Sequence, residues 1–98
     1  MNSVILSKLA EKDIRNIWSY SVEKWGEEHT VQYLTGLNRK LDQLYQEPDT
    51  FGVRRPDIKP DYMSCLYERH IVFFKKVNDS IKVIRILHQR MDIERRIR

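Results

Sequence analysis

The residues of this chain best suited to chemistry are arginines, at 54, 55, 69, 85, 90, 95, 96 and 98, and histidines, at 29, 70 and 88. Guanidinium groups bind phosphate or carboxylate bidentately, so the set suits recognition of an anionic partner. Metal-free RNA cleavage would also need a base near the attacking hydroxyl, an acid for the leaving oxygen and cations on the phosphate. Cations are abundant, but a convincing acid and base pair is not. His70 and His88 open and close strands, where a hydrogen-bonded structural role is expected, and His29 begins a helix in water. Asp49, Asp57 and Asp61 fall in a proline-bearing segment where turn formation explains them. Cys65 lies mid-strand and reads as an inert buried thiol. Tyr62 and Tyr67 have the shape to stack on bases, but packing in a sheet is the expected use. No glycine-rich phosphate loop, His-x-x-x-His pair or Gly-x-Ser-x-Gly elbow occurs.

Positioning such groups falls to a chain of 98 residues with 41% hydrophobic content, enough for one modest core and one domain spanning 1–98. One cysteine forms no internal disulfide, and no His/Cys spacing suits zinc, so a reducing cytoplasm without cofactor or metal is expected. The N-terminus lacks the pattern of a signal peptide, and no apolar run reaches the roughly 20 residues of a membrane span, so no membrane partner is expected. Charge is uneven. Residues 1–50 carry 6 Lys/Arg against 8 Asp/Glu, net −2, and residues 51–98 carry 12 against 6, net +6. A basic half favours an acidic partner, whether nucleic acid or an acidic protein segment.

Residues 3–6 are a short apolar run available as a strand. From Lys8 to Trp25, Ala10, Ile14, Ile17, Trp18, Ser21 and Trp25 recur at helical spacing, with Ser7 as N-cap and Gly26 closing the other end. A second helix runs from Glu27 to about Glu47 on Tyr33, Leu34, Leu37, Leu41, Leu44 and Tyr45, and Pro48 stops it. The two fold back as a hairpin with Trp18 and Trp25 near the contact, and Gly36 is either a point of close approach for the first helix or an exposed, tolerated glycine. Residues 48–62 read as loop. Residues 63–68 and 70–76 read as strands, Val77-Asn78-Asp79-Ser80 as a turn, and 81–87 as a last, branched-aliphatic strand. The fold class is therefore α+β, a helical hairpin on a small antiparallel sheet in the order β-α-α-β-β-β.

Strict alternation along the last strand puts Ile81, Val83, Arg85 and Leu87 on one side and Lys82, Ile84, Ile86 and His88 on the other. Two helices cover one face, so apolar area remains exposed unless the chain's own loops or a habitual partner cover it. Arg85-Ile86-Leu87-His88 with Met91-Asp92 resembles the C-terminal signature of ParE-type toxins of the RelE/ParE superfamily. Leu6-Ser7, Ala10, Asp13-Ile14, Ile17, Tyr20, Trp25-Gly26, Tyr33 and Leu37 are similar to that family's helical pattern. Pro48, Gly52, Tyr62 and His70-Ile71-Val72-Phe73-Phe74 resemble its loop and strands, although Met63 stands where arginine is expected and Phe74 where tyrosine is.

The resemblance implies a cytoplasmic toxin of a type II toxin-antitoxin system, inhibiting DNA gyrase and masked by a cognate antitoxin through which alone it meets operator DNA. Target contact is then expected from Arg85, His88, Arg90, Met91, Asp92, Arg95, Arg96 and Arg98, and antitoxin contact from Arg54, Arg55, Ile84 and Ile86. RelE-like relatives cleave mRNA in the ribosome, with a tyrosine or histidine beyond the last strand. This chain has only Ile93-Glu94-Arg95-Arg96-Ile97-Arg98 there. Arg85, His88 and Arg90 would be the catalytic candidates on that alternative, and a non-toxic module acting with its antitoxin at an operator is a second. The oligomeric state stays open between a homodimer through the helical hairpin and a heterotetramer with the antitoxin.

Overall fold

In the computed structural model, which describes residues 4–97, the first strand β1 (Val4–Leu6) runs directly into helix α1 (Lys8–Trp25). Ser7 makes that junction work: its Oγ accepts from the Ala10 N–H at 3.0 Å and donates to the Ile84 carbonyl at 2.7 Å. Gly26, at φ +92°, reverses the chain into α2 (Glu27–Gln46) with no room needed for a side chain. Pro48 ends that helix and begins the single turn α3 (Pro48–Phe51), which leads to the two-residue strand β2 (Val53–Arg54). The segment expected to be loop thus carries a helical turn and an edge strand.

A meander follows, β3 (Met63–Tyr67), β4 (His70–Val77) and β5 (Ser80–His88), closed by the short helix α4 (Ile93–Ile97). The two hairpin turns hold Glu68 and Asn78 at φ 52°. Asparagine tolerates that conformation, whereas glutamate gives no sequence cue for it, so the first turn was not legible. The sheet order is β1-β5-β4-β3-β2, with β1 parallel to β5 and the other pairings antiparallel. The α+β class and hairpin-on-sheet arrangement hold, with α3, β2 and α4 added.

A register shift corrects the expected faces of the last strand. Phe73 pairs with Arg85 and Phe74 with Val83, leaving Ile84 as the extra residue of a bulge. Ile86 therefore joins Ile81 and Val83 against the helices, in a core with Ala10, Ile17, Leu37, Leu41 and Leu44. Leu87 joins Ile84 on the far face, where Phe73 and Tyr62 lie. That far face is covered by the chain itself, through Ile58 of the loop and Ile93 and Ile97 of α4. Trp18 and Trp25 do not seal the hairpin, being 39% and 54% exposed. Gly36 makes its close approach to the Tyr67 hydroxyl and not to α1: a Cβ there would collide with it.

Candidate functional site

Asp13 lies between Ala10 and Ile17 on the buried face of α1, where a carboxylate needs a partner. Arg85 supplies it. Its Nε donates to Asp13 Oδ2 and its Nη2 to Asp13 Oδ1, both at 2.9 Å, and the Ile86 backbone N–H adds a third bond to Oδ2 at 2.9 Å. The remaining Arg85 nitrogen, Nη1, donates to the Arg96 carbonyl at 2.7 Å. With side chains 13% and 9% exposed, this pair joins α1, β5 and α4. Arg85 is thus a link within the fold and not a free cation, a correction to its expected place among the target-facing arginines.

Beyond the pair, antiparallel register sets His88 directly opposite His70. Their rings meet edge to face with centroids 5.3 Å apart. The Tyr33 hydroxyl of α2 lies 2.6 Å from His70 Nδ1, and Tyr33 packs edge-on against Tyr67, whose own hydroxyl donates to the Tyr33 carbonyl at 2.8 Å. Burial, and then the neighbouring His88, pull His70 down to about 4, with Asp13 opposing. Burial, then Tyr67, push Tyr33 up to about 12, so the phenol keeps its proton. Both strand-end histidines are hydrogen-bonded within the fold, His70 Nδ1 to the Tyr33 hydroxyl and His88 Nδ1 accepting from the Arg90 N–H at 3.1 Å.

These residues form the floor of a groove of about 820 Å³ between α1, the Glu68-Arg69 turn and the segment after β5. Leu9, Tyr20 and Trp25 of α1 stand 53%, 61% and 54% exposed along it, with the Lys24 ammonium over both rings, and Ile17 and Met91 add apolar lining. Lys12, Lys24, Arg69, Arg90 and Arg96 line it as cations, whereas its carboxylates are Asp13, already paired, and Glu68. Among the described residues, no group of three His, Cys, Asp or Glu is placed to hold a metal ion. No helix among them is long and apolar enough to cross a membrane.

Of the residues singled out in the sequence, Arg85, His88, Arg90, Met91 and Arg96 meet in this groove. Asp92 accepts from the Arg95 N–H at the start of α4, Arg95 is exposed, and Arg98 lies outside the described residues. Arg54 and Arg55 are elsewhere, at and beside the β2 edge of the sheet, with β1 at the other edge. Arg54 is exposed; Arg55 is occupied by Asp57 at 3.0 Å and Ser64 at 3.2 Å, and its charge lies over the Phe73 ring. The far-face reading of Ile84 and Ile86 does not survive as a shared surface. Ile86 is 2% exposed against the helices, and Ile84 packs in the cluster beneath α4. Asp13, Tyr33, Leu9 and Trp25 were not picked out as site residues. A carboxylate on the apolar stripe of α1 was the one signal that could have drawn attention to Asp13.

Residues 4–93 match a family model described as ParE toxin of type II toxin-antitoxin system, parDE. Toxin ParE1 of Caulobacter vibrioides is 33% identical over 89 residues, which cover 89% of this chain and 88% of that protein. Toxin ParE1 of Mycobacterium tuberculosis is 31% identical over 94 residues, 95% of either chain. Among solved structures, a chain of the chromosomal ParDE TA system from P. aeruginosa superposes with a TM-score of 0.75 at 21% identity, covering 90% of this chain and 96% of that one. That last likeness is one of fold.

Proposed function

Since the chain belongs to the ParE toxin family of type II toxin-antitoxin systems, we propose that it arrests growth by inhibiting DNA gyrase and that a cognate antitoxin neutralises it by filling the groove beside α1. The groove is the observation that supports the second half. It mixes exposed Leu9, Tyr20 and Trp25 with cations, and of its two carboxylates Asp13 is already closed on Arg85, which makes it the complement of an acidic amphipathic segment. Target contact on this reading comes from the end of the molecule beyond β5. There Arg90, Met91 and Asp92 occupy a turn held by the Met91 N–H to His88 carbonyl bond at 2.9 Å, and exposed Arg95 follows on α4. Arg96 and Arg98 extend the same basic end in sequence.

The test is purified toxin added to gyrase in supercoiling and cleavage-complex assays, with and without the antitoxin. Inhibition that the antitoxin reverses is expected; unchanged supercoiling and cleavage would sink the gyrase reading. One observation favours ribosome-dependent mRNA cleavage as a second reading, the pairing of His70 and His88 next to Arg69 and Arg90. New mRNA ends in translating ribosomes given the toxin would replace the first reading with this one.

A further inference from the structure

The two imidazoles on the groove floor divide their ring nitrogens in the same way. His88 Nδ1 accepts from the Arg90 backbone N–H. Tyr33 keeps its proton, and its hydroxyl has His70 Nδ1, at 2.6 Å, as its hydrogen-bond partner among the described residues, so it donates there. A ring nitrogen that accepts carries no proton, so each neutral ring bears its proton on Nε2. Neither Nε2 is bonded among the described residues, and no buried polar side-chain atom there is left without a partner, so both N–H groups open into the groove. Two donors therefore belong to rings whose centroids lie 5.3 Å apart, each ring held in one tautomer by the bond at its Nδ1.

We propose that His70 and His88 together receive a carboxylate side chain of the acidic segment that fills the groove, an inference that rests on the antitoxin reading above. The surrounding charge calls for an anion. Lys12 and Lys24 of α1, Arg69 of the β3–β4 turn, Arg90 of the turn after β5 and Arg96 of α4 line the same groove; Glu68 is the opposing carboxylate, Asp13 being closed on Arg85. The apolar lining selects between anions. Leu9, Ile17, Tyr20, Trp25 and Met91 offer apolar burial, which the side chains of an amphipathic protein segment use and a phosphodiester backbone does not. A carboxylate presents two acceptor oxygens, one for each of two neighbouring ring N–H groups.

The experiment uses the full chain and the protein encoded by the adjoining reading frame, with affinity measured by calorimetry near neutral pH. His88→Leu removes one donor, while His88→Gln keeps an N–H at similar reach. The expected result is a loss of about tenfold or more for His88→Leu, the scale of one hydrogen bond to a charged acceptor. His88→Gln should recover most of it at an unchanged melting temperature. Replacing the partner's Asp and Glu residues one at a time by Asn and Gln should find one position whose loss is not additive with His88→Leu. Trp25→Glu separates the failures. If Trp25→Glu abolishes binding while His88→Leu leaves it unchanged, the carboxylate site is overturned and the groove stands. If Trp25→Glu has no effect, or the adjoining product does not bind, the antitoxin reading of the groove falls first. Short single-stranded RNA whose binding needs His88 while the partner's does not would reassign the pair to phosphate and overturn the proposal.

Discussion

Asp13 and Arg85, 72 residues apart in the chain, close on each other through two 2.9 Å bonds, with Arg85 also donating to the Arg96 carbonyl. One side chain thereby ties the first helix to the last. Removing either partner strands the other in a mostly buried place, so Arg85→Met or Asp13→Asn should each cost about 3–5 kcal/mol. The double change Asp13→Leu with Arg85→Met should cost less than the two singles together, because no lone charge remains. Urea unfolding of the four proteins gives the answer; a cost under about 1 kcal/mol for Arg85→Met would show the pair to be ornamental.

Gly36→Ala gains helix propensity, about 1 kcal/mol in an exposed helix. Here it should destabilise instead, by about 1–3 kcal/mol, because the new methyl meets the Tyr67 hydroxyl that is bonded to the Tyr33 carbonyl. In a Tyr67→Phe background the same change should be milder. Thermal melts of the three variants decide, and equal penalties in both backgrounds would rule out the hydroxyl as the cause.

His70 titrates near 4 in the fold against 6.5 for the free side chain, so the unfolded chain binds a proton that the native state refuses. Stability is then fully present above pH 6.5 and declines as pH falls from 6.5 towards 4. Carboxylates also titrate at the lower end, so the wild-type slope should be compared with that of His70→Gln. The variant's urea midpoint should fall less steeply between pH 6.5 and 5. Parallel profiles would mean that His70 is protonated in the fold at its ordinary value.

Arg90→Ala and Arg95→Ala remove exposed charge and touch neither core, so each should leave the melting temperature within about 2 °C. On the gyrase reading each should raise the toxin concentration for half inhibition by about tenfold, one charged contact apiece. Inhibition unaffected by both would move the target surface away from the end of β5.

The helices were legible because their punctuation is local. Ser7, Gly26 and Pro48 act on their nearest neighbours, and the boundaries at Lys8, Trp25 and Glu27 follow from them. Strand existence was equally legible in residues 70–76 and 81–87. What the sequence did not carry is pairing. The bulge at Ile84 depends on how β5 aligns with β4, and it moved Ile86 and Leu87 to opposite faces from those that alternation assigns. A five-residue α4 is too short for periodicity to announce, so the sequence left the far sheet face open between the chain's own loops and a partner. The groove needs both α1 and the segment after β5, and only Arg85, His88, Arg90, Met91 and Arg96 stood out beforehand as one stretch.

Pairing of β1 with β5 sets a timetable for the toxin's manufacture. Among the described residues Val4, Ile5 and Leu6 have no strand neighbour other than Ile81, Lys82 and Val83, and Ser7 finishes its bonding on Ile84. During synthesis the first residues must wait for nearly the whole chain to emerge from the ribosome, and such distant closure is slow. The groove is likewise incomplete until residue 96 is out. On the antitoxin reading proposed above, a nascent or truncated chain would lack the recognised surface, and the partner would meet only finished molecules.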